Sequence, residues 1–283
     1  MKLVSYRHAG GESYGAVQGN GVVDLGARLG DSYADLKAAL AAGALDELRG
    51  VAEGQDAGVA LSDVEYLMPI TSPGKIFCIG RNYRAYHEVL EDGRPDWPSI
   101  FPRFTDSFSA HNQPIIVNSD DGDQLDYEGE LVVVIGKTAR HIAEADSMSH
   151  VAGYTIANEG SVRNWIGRGT QNCPVKNHWR SGSMGPWMVT ADEIADPNKL
   201  HITTTVSGEK RQDGGTDMMI FDIPYVVAFV SRFSRLQPGD VICTGSPGGS
   251  AIEQDPPGYL KAGDTLEIEI SGVGTLNNTI VAE

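Results

Sequence analysis

Acidic residues of the kind that bind divalent cations precede a strongly apolar segment near the middle of the chain. Residues 126–130 read DYEGE and run directly into the β-branched segment Leu131–Ile135. Alternate side chains of a strand point to the same face, so Glu128 and Glu130 are expected to project together while Gly129 points away. Two adjacent carboxylates beside a dry strand are costly unless they are protonated or neutralised by a cation. The pattern therefore indicates a cation site, although a solvated strand end with two scattered acids would have the same sequence.

A third acidic residue ends a second apolar segment. Glu159 follows VAGYTIAN at 151–158, and Gly160 then favours a turn. Acids at the ends of neighbouring strands can converge on one ion, so Glu159 favours the cation site over the solvated strand end. An all-oxygen set of ligands prefers Mg²⁺, Mn²⁺ or Ca²⁺ to zinc, which favours His and Cys.

The sequence argues against a phosphate-binding loop and against a cysteine nucleophile. The glycine-rich run Thr244–Gly249 lacks the Gly-Lys-Ser/Thr ending of a phosphate-binding loop. Cys78, Cys173 and Cys243 are far apart and have no local His pattern, so we expect reduced thiols rather than nucleophiles.

The candidate site residues need a β-rich scaffold to hold them in place. Strands are predicted after Pro73 at Lys75–Ile79, Leu131–Ile135, Val151–Ala157, Leu200–Val206, Val241–Thr244, Thr265–Ile270 and Thr275–Val281. One helix is predicted to begin after Asp222, with apolar residues at helical spacing from Ile223 to Phe233. Short strands with Gly and Pro turns and one packed helix predict an α+β, mainly β roll.

The first 70 residues are predicted to form a small N-terminal α/β domain. Its expected elements are two strands and a helix, at Leu3–Tyr6, Tyr14–Gln18 and Asp35–Ala42, with a hairpin turn at GNG 19–21. The run SPG at 72–74 then marks a boundary. We therefore expect one domain over residues 1–70 and a catalytic domain over 71–283.

The charge balance limits the classes of partner. The chain has 22 Lys and Arg residues against 38 Asp and Glu residues, which gives a formal net charge of −16. Such a field repels phosphate backbones and anionic lipid headgroups, so neither nucleic acid nor a membrane is an expected partner. The first residues lack the apolar run of a signal peptide, and no segment reaches the roughly 18 apolar residues of a membrane span. A cytoplasmic protein is therefore expected.

Four segments of the chain resemble the fumarylacetoacetate hydrolase superfamily. They occur in family order and read DYEGELVVVIG at 126–136, VAGYTIAN at 151–158, GPWMVTADE at 185–193 and LQPGDVICTG at 236–245. The resemblance implies a homodimeric enzyme that acts on a small 2-keto acid at a carbon–carbon bond. It also implies that Glu128, Glu130 and Glu159 hold Mg²⁺ or Mn²⁺, with Ca²⁺ as a further possibility. The family usually has Asp where this chain has Glu159.

The same resemblance assigns acid–base residues. Residues 80–88 (GRNYRAYHE) resemble the family's lid segment, in which a His and a nearby Glu activate water. His87 is the expected base because imidazole titrates near neutral pH, but it falls one residue later than the usual spacing from Tyr83. Glu91 lies one helical turn after His87 and is the expected partner, with Glu88 as the alternative.

Further positions match the family's substrate-handling residues. Lys176 lies ten positions before Pro186 and matches the active-site Lys, whose ammonium group would stabilise enolate charge. The resemblance places substrate binding at Tyr83, Arg103, Arg163 and Ser246. Either Arg could pair with a substrate carboxylate.

The leading hypothesis from the sequence is hydrolysis of an acylpyruvate-like or fumarylacetoacetate-like 2,4-diketo acid. The substrate's carboxylate and 2-keto oxygens would face the ion, and His87 would deprotonate a water that attacks the distal carbonyl. Cleavage would release a carboxylic acid and an enolate. A metal-dependent decarboxylase, isomerase or dehydratase of the same superfamily is the alternative, because the displaced His87 suits a reaction without water. A non-catalytic protein that retains only the ligand pocket is a third hypothesis.

Overall fold

The computed structural model describes residues 1–84, 95–118 and 120–283. Its strands are β1 (Lys2–His8), β2 (Gly11–Gln18), β3 (Gly21–Asp24), β4 (Val59–Ala60), β5 (Glu65–Tyr66), β6 (Ile76–Gly80), β7 (Ser99–Pro102), β8 (Phe108–Ala110), β9 (Ile115–Val117), β10 (Leu125–Asp126), β11 (Gly129–Ile135), β12 (Val151–Asn158), β13 (Ser161–Val162), β14 (Gly182–Thr190), β15 (His201–Val206), β16 (Glu209–Gly215), β17 (Val241–Cys243), β18 (Thr265–Ile270) and β19 (Gly274–Ala282).

Among the described residues, the helices are short apart from one in the C-terminal third of the chain. The α-helices are α1 (Gly26–Leu29), α2 (Leu36–Ala41), α3 (Leu45–Ala52), α4 (Cys173–Lys176) and α5 (Ile223–Phe233). Single 3₁₀ turns occupy Leu61–Asp63, Thr105–Ser107, Arg163–Trp165, Ala191–Glu193, Pro197–Lys199, Thr216–Met218 and Ala251–Glu253, and a longer 3₁₀ segment occupies Glu144–His150. The predicted α+β, mainly β fold is confirmed.

Two sheets form most of the molecule. The larger has the strand order β4-β3-β2-β1-β14-β12-β11-β17-β6-β7, with β5 beside β1 and β8 beside β14. The smaller has the order β16-β15-β18-β19-β9, and β10 pairs separately with β13. The neighbours β11 and β12 are antiparallel and lie at the centre of the large sheet.

Strand β11 is buried along its whole length. Leu131, Val133 and Ile135 pack in the hydrophobic core that includes α5 and the five-stranded sheet. Val132 and Val134 pack in a second core that includes α2 and α3. A strand covered on both faces needs apolar side chains at every position, which explains why this segment shows a continuous β-branched run instead of alternation.

Helix α5 begins and packs as its sequence predicts. The side chain of Asp222 accepts a hydrogen bond from the Tyr225 N–H at 3.0 Å and caps the first turn. The apolar face of the helix, which includes Ile223, Val226 and Val230, is buried in the core. This helix therefore supports the sheet that carries the candidate site.

The leading strands join the large sheet. β1 pairs antiparallel with β14, with Leu3 opposite Met188. The division into residues 1–70 and 71–283 stays a prediction. In the described part of the chain, no helix is long and apolar enough to cross a membrane, and the cytoplasmic location stays a prediction. The three cysteines are free thiols.

Candidate functional site

The pairing of β11 with β12 brings the three predicted acids together. Gly129 lies opposite Asn158 in this ladder, and the N–H of Glu159 donates to the carbonyl of Glu128 at 2.8 Å. Glu159, one residue past the end of β12, is therefore held beside Glu128, one residue before β11. One carboxylate oxygen from each of Glu128, Glu130 and Glu159 can be chosen so that all three lie within 4.8 Å of one another.

Glycine is required at Gly129, between two of these acids. A Cβ at Gly129 would lie 2.4 Å from Thr204 Oγ1, so any other residue here would have to displace the Thr204 side chain. The N–H of Gly129 donates to Gln212 Oε1 at 2.9 Å. This close approach holds the start of β11 against the five-stranded sheet, and it leaves Glu128 and Glu130 on the other side.

Lys176 is held against two of the acids by the short helix α4. Its Nζ donates to Glu128 Oε2 at 2.6 Å, and it also contacts Glu159 Oε2 and, at 3.2 Å, the Glu159 carbonyl. Burial alone would lower the pKa of Lys176, but the adjacent charges of Glu128 and Glu159 outweigh it and raise the pKa. Lys176 therefore places a buried positive charge among the carboxylates.

Arg163 joins the acid cluster to a neighbouring loop through Asp126. Its Nη2 donates to Glu128 Oε1 at 2.5 Å and its Nε donates to Asp126 Oδ2 at 2.8 Å. Asp126 is fully buried and also accepts the N–H groups of Ala251 at 2.6 Å and Ile252 at 3.2 Å. The sequence showed Asp126 at the head of the acidic motif, but nothing in the sequence indicated that it anchors this loop.

Arg103 lies behind Glu159, away from the open pocket. Its side chain is 0% exposed, and Nη1 donates to Glu159 Oε1 at 2.8 Å and to the Gly160 carbonyl at 3.0 Å. The remaining donors contact Ser107 and Ser181. With its donors directed at protein acceptors, Arg103 is placed to orient Glu159, and the predicted contact with a substrate carboxylate gains no support from this position.

Glu130 differs from its neighbours because no cation among the described residues forms an ion pair with it. Its Oε2 accepts the N–H of Gly245 at 2.9 Å. Burial raises the pKa of Glu130 well above its usual range, and the negative charge of Glu159 adds to the rise. A free carboxylate in this place is therefore unfavourable until a positive charge arrives.

The pKa of Glu128 is shifted in the opposite direction to that of Glu130. Burial alone would raise the pKa of Glu128, but the charges of Lys176 and Arg163 lower it to about 2. Four buried or nearly buried acids, at 126, 128, 130 and 159, thus face three cations, at 103, 163 and 176. Oxygen donors with a surplus of negative charge fit a hard divalent cation.

A cavity of about 210 Å³ opens onto the acid cluster. Its wall includes Glu128, Glu130, Arg163, Lys176, Ser246 and Arg81. Ligand pockets for drug-sized molecules are usually about 300–1,000 Å³, so this cavity suits a smaller molecule.

Of the remaining predicted site residues, Tyr83 is described by the structure and the acid–base residues are not. Tyr83 is 1% exposed, and its hydroxyl has no hydrogen-bond partner among the described residues. Burial raises the pKa of Tyr83 far above its usual range, and the charge of Glu130 adds to the rise. His87, Glu88 and Glu91 lie outside the described residues, so their roles stay predictions.

Comparison with known proteins agrees with the resemblance seen in the sequence. The family described as fumarylacetoacetate (FAA) hydrolase C-terminal matches residues 75–281. The mitochondrial oxaloacetate tautomerase FAHD2A of Homo sapiens is 38% identical over 222 residues, which are 78% of this chain and 70% of that protein. A 4-hydroxyphenylacetate degradation bifunctional isomerase/decarboxylase of Salmonella dublin is 38% identical over 219 residues, which are 77% of this chain and 49% of that protein.

A solved structure extends the likeness over the whole chain. Maleylpyruvate hydrolase from Sphingobium sp. SYK-6, in complex with manganese(II) ion and pyruvate, matches with a TM-score of 0.83 and 28% identity. The match covers 100% of this chain and 99% of that one. The chain belongs to the fumarylacetoacetate hydrolase family.

Proposed function

We propose that this protein is a divalent-metal-dependent enzyme that interconverts the enol and keto forms of a small 2-keto acid of the oxaloacetate type. The observation that carries the proposal is the meeting of Glu128, Glu130 and Lys176 at one cavity of about 210 Å³, with Glu159 in contact with Lys176 behind them. The name of the human relative, oxaloacetate tautomerase, supports this reaction over others of the family.

The acid cluster supplies the metal site in this proposal. Glu128, Glu130 and Glu159 would hold Mg²⁺ or Mn²⁺, and Ca²⁺ also suits their oxygen donors. The bound ion would act as a Lewis acid that polarises the 2-keto oxygen of the substrate. Arg163 and Arg103 each hold one ligand carboxylate in place, at 2.5 Å from Glu128 and 2.8 Å from Glu159. Such partners of the ligands keep a metal site correctly shaped.

Lys176 supplies the charge that favours the enolate. Its ammonium group lies between Glu128 and Glu159 and is buried from water. A fixed positive charge in a dry site stabilises a developing oxyanion more than the same charge would in water. We therefore propose that the positive charge of Lys176 stabilises the substrate oxygen on which negative charge develops.

Proton transfer completes the reaction. Tautomerisation moves one proton between C3 and the oxygen on C2, and it neither consumes water nor releases carbon dioxide. His87, with Glu91 or Glu88, remains the proposed base, on the basis of the lid-like segment GRNYRAYHE at 80–88. Ser246 lines the cavity and is proposed to hydrogen-bond the substrate.

The test measures the conversion of enol-oxaloacetate through the loss of the enol's ultraviolet absorbance. Carbon dioxide is monitored in parallel. We expect acceleration by the protein with Mg²⁺ or Mn²⁺, no acceleration after treatment with EDTA, and recovery when the metal is returned. The number of carbon dioxide molecules released should match the uncatalysed control. Absence of acceleration by the metal-loaded protein would contradict the proposal.

Hydrolysis of a 2,4-diketo acid is a second candidate. It is favoured by the lid-like segment with His87 and by the maleylpyruvate hydrolase structure that holds pyruvate, since pyruvate is the fragment that cleavage of an acylpyruvate releases. Incubation of an acylpyruvate in ¹⁸O-labelled water distinguishes the candidates, because hydrolysis places the label in the released carboxylic acid. Release of carbon dioxide without incorporation of label would indicate decarboxylation instead.

We also propose that the enzyme works as a homodimer, as the family resemblance implies. Light scattering of the purified protein would test this, with twice the 30.3 kDa chain mass as the expected result.

A further inference from the structure

Lys176 contacts the carboxylate oxygens that the arginines of the acid cluster leave open. Glu128 Oε1 accepts from Arg163 at 2.5 Å. Glu159 Oε1 accepts from Arg103 at 2.8 Å. Lys176 Nζ instead contacts the second oxygen of each acid, Glu159 Oε2 and, at 2.6 Å, Glu128 Oε2. A cation held by both Glu128 and Glu159 therefore meets the ammonium group at these two oxygens.

The ammonium group also lies on the side of the cluster that faces the cavity. Lys176 lines the cavity of about 210 Å³ together with Glu128 and Glu130. A divalent cation that enters from the cavity thus approaches a positive charge that is already in place. Because Lys176 and both of its acidic partners are largely shielded from water, the repulsion between the two cations is only weakly screened. Full contact of the ion with these oxygens requires the ammonium group to withdraw.

Lys176 has other contacts to retain when it withdraws. Its Nζ lies 3.2 Å from the Glu159 carbonyl and 5.3 Å from the centre of the Phe101 ring. The face of an aromatic ring attracts an ammonium group within about 6 Å. Phe101 lines the same cavity. The ammonium group can therefore remain in the cavity wall after an ion has taken its carboxylate contacts.

Arg103 binds the same acid from the opposite side. Its side chain is 0% exposed, and it holds Glu159 through Oε1 while it also donates to the Gly160 carbonyl at 3.0 Å. This arrangement orients the carboxylate and leaves Oε2 to face the cluster. Partners that fix a ligand without occupying its binding oxygen increase metal affinity.

From this geometry we infer that Lys176 competes with the divalent cation for Glu128 and Glu159 and so weakens metal binding, whereas Arg103 strengthens it. The inference rests on the metal site of the proposed function and not on the reaction catalysed there. An internal ammonium group partly neutralises the buried acids whenever the ion is released. The site can therefore exchange its metal while the protein stays folded.

The experiment compares Mn²⁺ affinities measured by isothermal titration calorimetry. For Lys176→Met we expect Mn²⁺ to bind about 10- to 100-fold more tightly than in the wild type, because the ion no longer displaces a buried positive charge. For Arg103→Lys we expect binding to be about 10- to 100-fold weaker, because the paired donors that orient Glu159 are lost. Lys210→Met, in an exposed ion pair on the five-stranded sheet, is the control and should change the affinity less than about twofold.

A second measurement covers variants that are unstable without metal. An ion that binds the folded state raises the free energy of unfolding by an amount set by its concentration and its dissociation constant. Urea unfolding of each variant over a series of Mn²⁺ concentrations therefore gives the same affinities. In this series Lys176→Met should be stabilised at lower Mn²⁺ concentrations than the wild type.

The sign of the change in affinity decides the inference. Unchanged or weaker Mn²⁺ binding in Lys176→Met would overturn it, because Lys176 would then support the ligands or act independently of the ion. A Lys176→Met protein that stays unfolded at saturating Mn²⁺ would also overturn it, since the dication would have failed to replace the ammonium group. Unchanged or tighter binding in Arg103→Lys would overturn the role of Arg103. Absence of Mn²⁺ binding in the wild type and in both variants would instead contradict the metal site of the proposed function.

Discussion

Two lysine–carboxylate clusters in this molecule have similar composition and opposite surroundings. In the candidate site, Lys176 contacts Glu128 and Glu159, and the three side chains are 8%, 12% and 2% exposed. On the five-stranded sheet, Lys210 contacts Asp213, and these side chains are 59% and 40% exposed. The chemical groups are alike, so the surroundings must account for any difference in what the clusters contribute.

This difference in burial explains why the cluster in the candidate site is expected to affect stability strongly and the exposed cluster is not. Water solvates both charges of an exposed pair well, so their pairing adds little to the free energy of unfolding. Buried charges have lost their hydration, so each depends on its partners, and removal of one leaves the other uncompensated. The candidate site therefore responds strongly to any change in charge, including the arrival of a metal ion.

The largest expected effect is that of Glu130→Gln on metal affinity. Glu130 has no cationic partner among the described residues, so its charge is available to a bound ion. We expect the affinity for Mn²⁺ to fall by more than about 100-fold, which exceeds the usual effect of changing a residue that only supports a ligand. Isothermal titration calorimetry measures this directly, with Glu267→Gln on the exposed face of β18 as the matched control.

Glu130→Gln should lower the affinity for metal but raise the stability of the metal-free protein. Without metal, Glu130→Gln removes a buried carboxyl group whose ionisation is unfavourable, while it keeps the shape of the side chain. We therefore expect the free energy of unfolding in EDTA to rise by about 1–2 kcal/mol. Urea unfolding provides the measurement. Retention of Mn²⁺ affinity within about threefold would show that Glu130 is not part of a metal site.

Lys176→Met should cause the largest loss of stability. Glu128 and Glu159 would keep their buried negative charges without the ammonium group that contacts both. We expect the metal-free protein to lose about 3–5 kcal/mol in the free energy of unfolding, measured with urea in EDTA. Saturating Mg²⁺ should reduce the loss, because a dication replaces the missing charge. A loss below about 1 kcal/mol would mean that water reaches these carboxylates and that the contrast with the exposed cluster is wrong.

Outside the charged cluster, the buried neutral side chain of His111 should make the stability of the protein depend on pH. His111 is 8% exposed, its Nδ1 accepts the Asn277 N–H at 3.1 Å, and burial lowers its pKa to about 4. Above pH 6.5 both folded and unfolded states are neutral at this residue. As the pH falls from 6.5 to 4, the unfolded state binds a proton that the folded state does not, so stability is lost.

The expected size of this effect follows from the two pKa values. Between pH 7 and pH 5, His111 should account for about 2 kcal/mol of the lost free energy of unfolding. In His111→Gln, which keeps a hydrogen-bond acceptor, the loss over this range should be smaller by that amount. Urea unfolding of both proteins at the two pH values measures the difference. Equal losses in the two proteins would show that His111 is already hydrated in the folded state.

The parts of the fold that were predicted from sequence are those with strong local patterns. The strand Thr265–Ile270 was predicted with its observed bounds, because every second residue is apolar and buried. The β-branched run of β11 also identified a strand covered on both faces. The strand at Glu209–Gly215 was missed because charged and glycine residues dominate it, and its position is set by pairing with β15.

Within the candidate site, residue types were easier to predict than their partners. The acids at the ends of two strands were predicted to converge, and the β11–β12 register accounts for their convergence. The position of Arg103 could not be predicted, since its contacts with Glu159, Ser107 and Ser181 span up to 78 residues of sequence. Asp126 was visible in the motif, but its hydrogen-bond partner Ala251 is separated from it by 125 positions in the sequence. Long-range hydrogen bonds of this kind leave no local pattern.

The smallest expected effect is that of Asp213→Asn in the exposed cluster. Asp213 contacts both Lys210 and His201, so it has as many basic partners as Glu159 has in the buried cluster. Because these groups are solvated, we expect the melting temperature to stay within about 1 °C of the wild type at physiological salt, and catalytic activity to be unchanged. Differential scanning calorimetry checks this beside Lys176→Met. A shift comparable to that of Lys176→Met would show that the number of ion-pair contacts, rather than burial, determines what a charge cluster contributes to this protein.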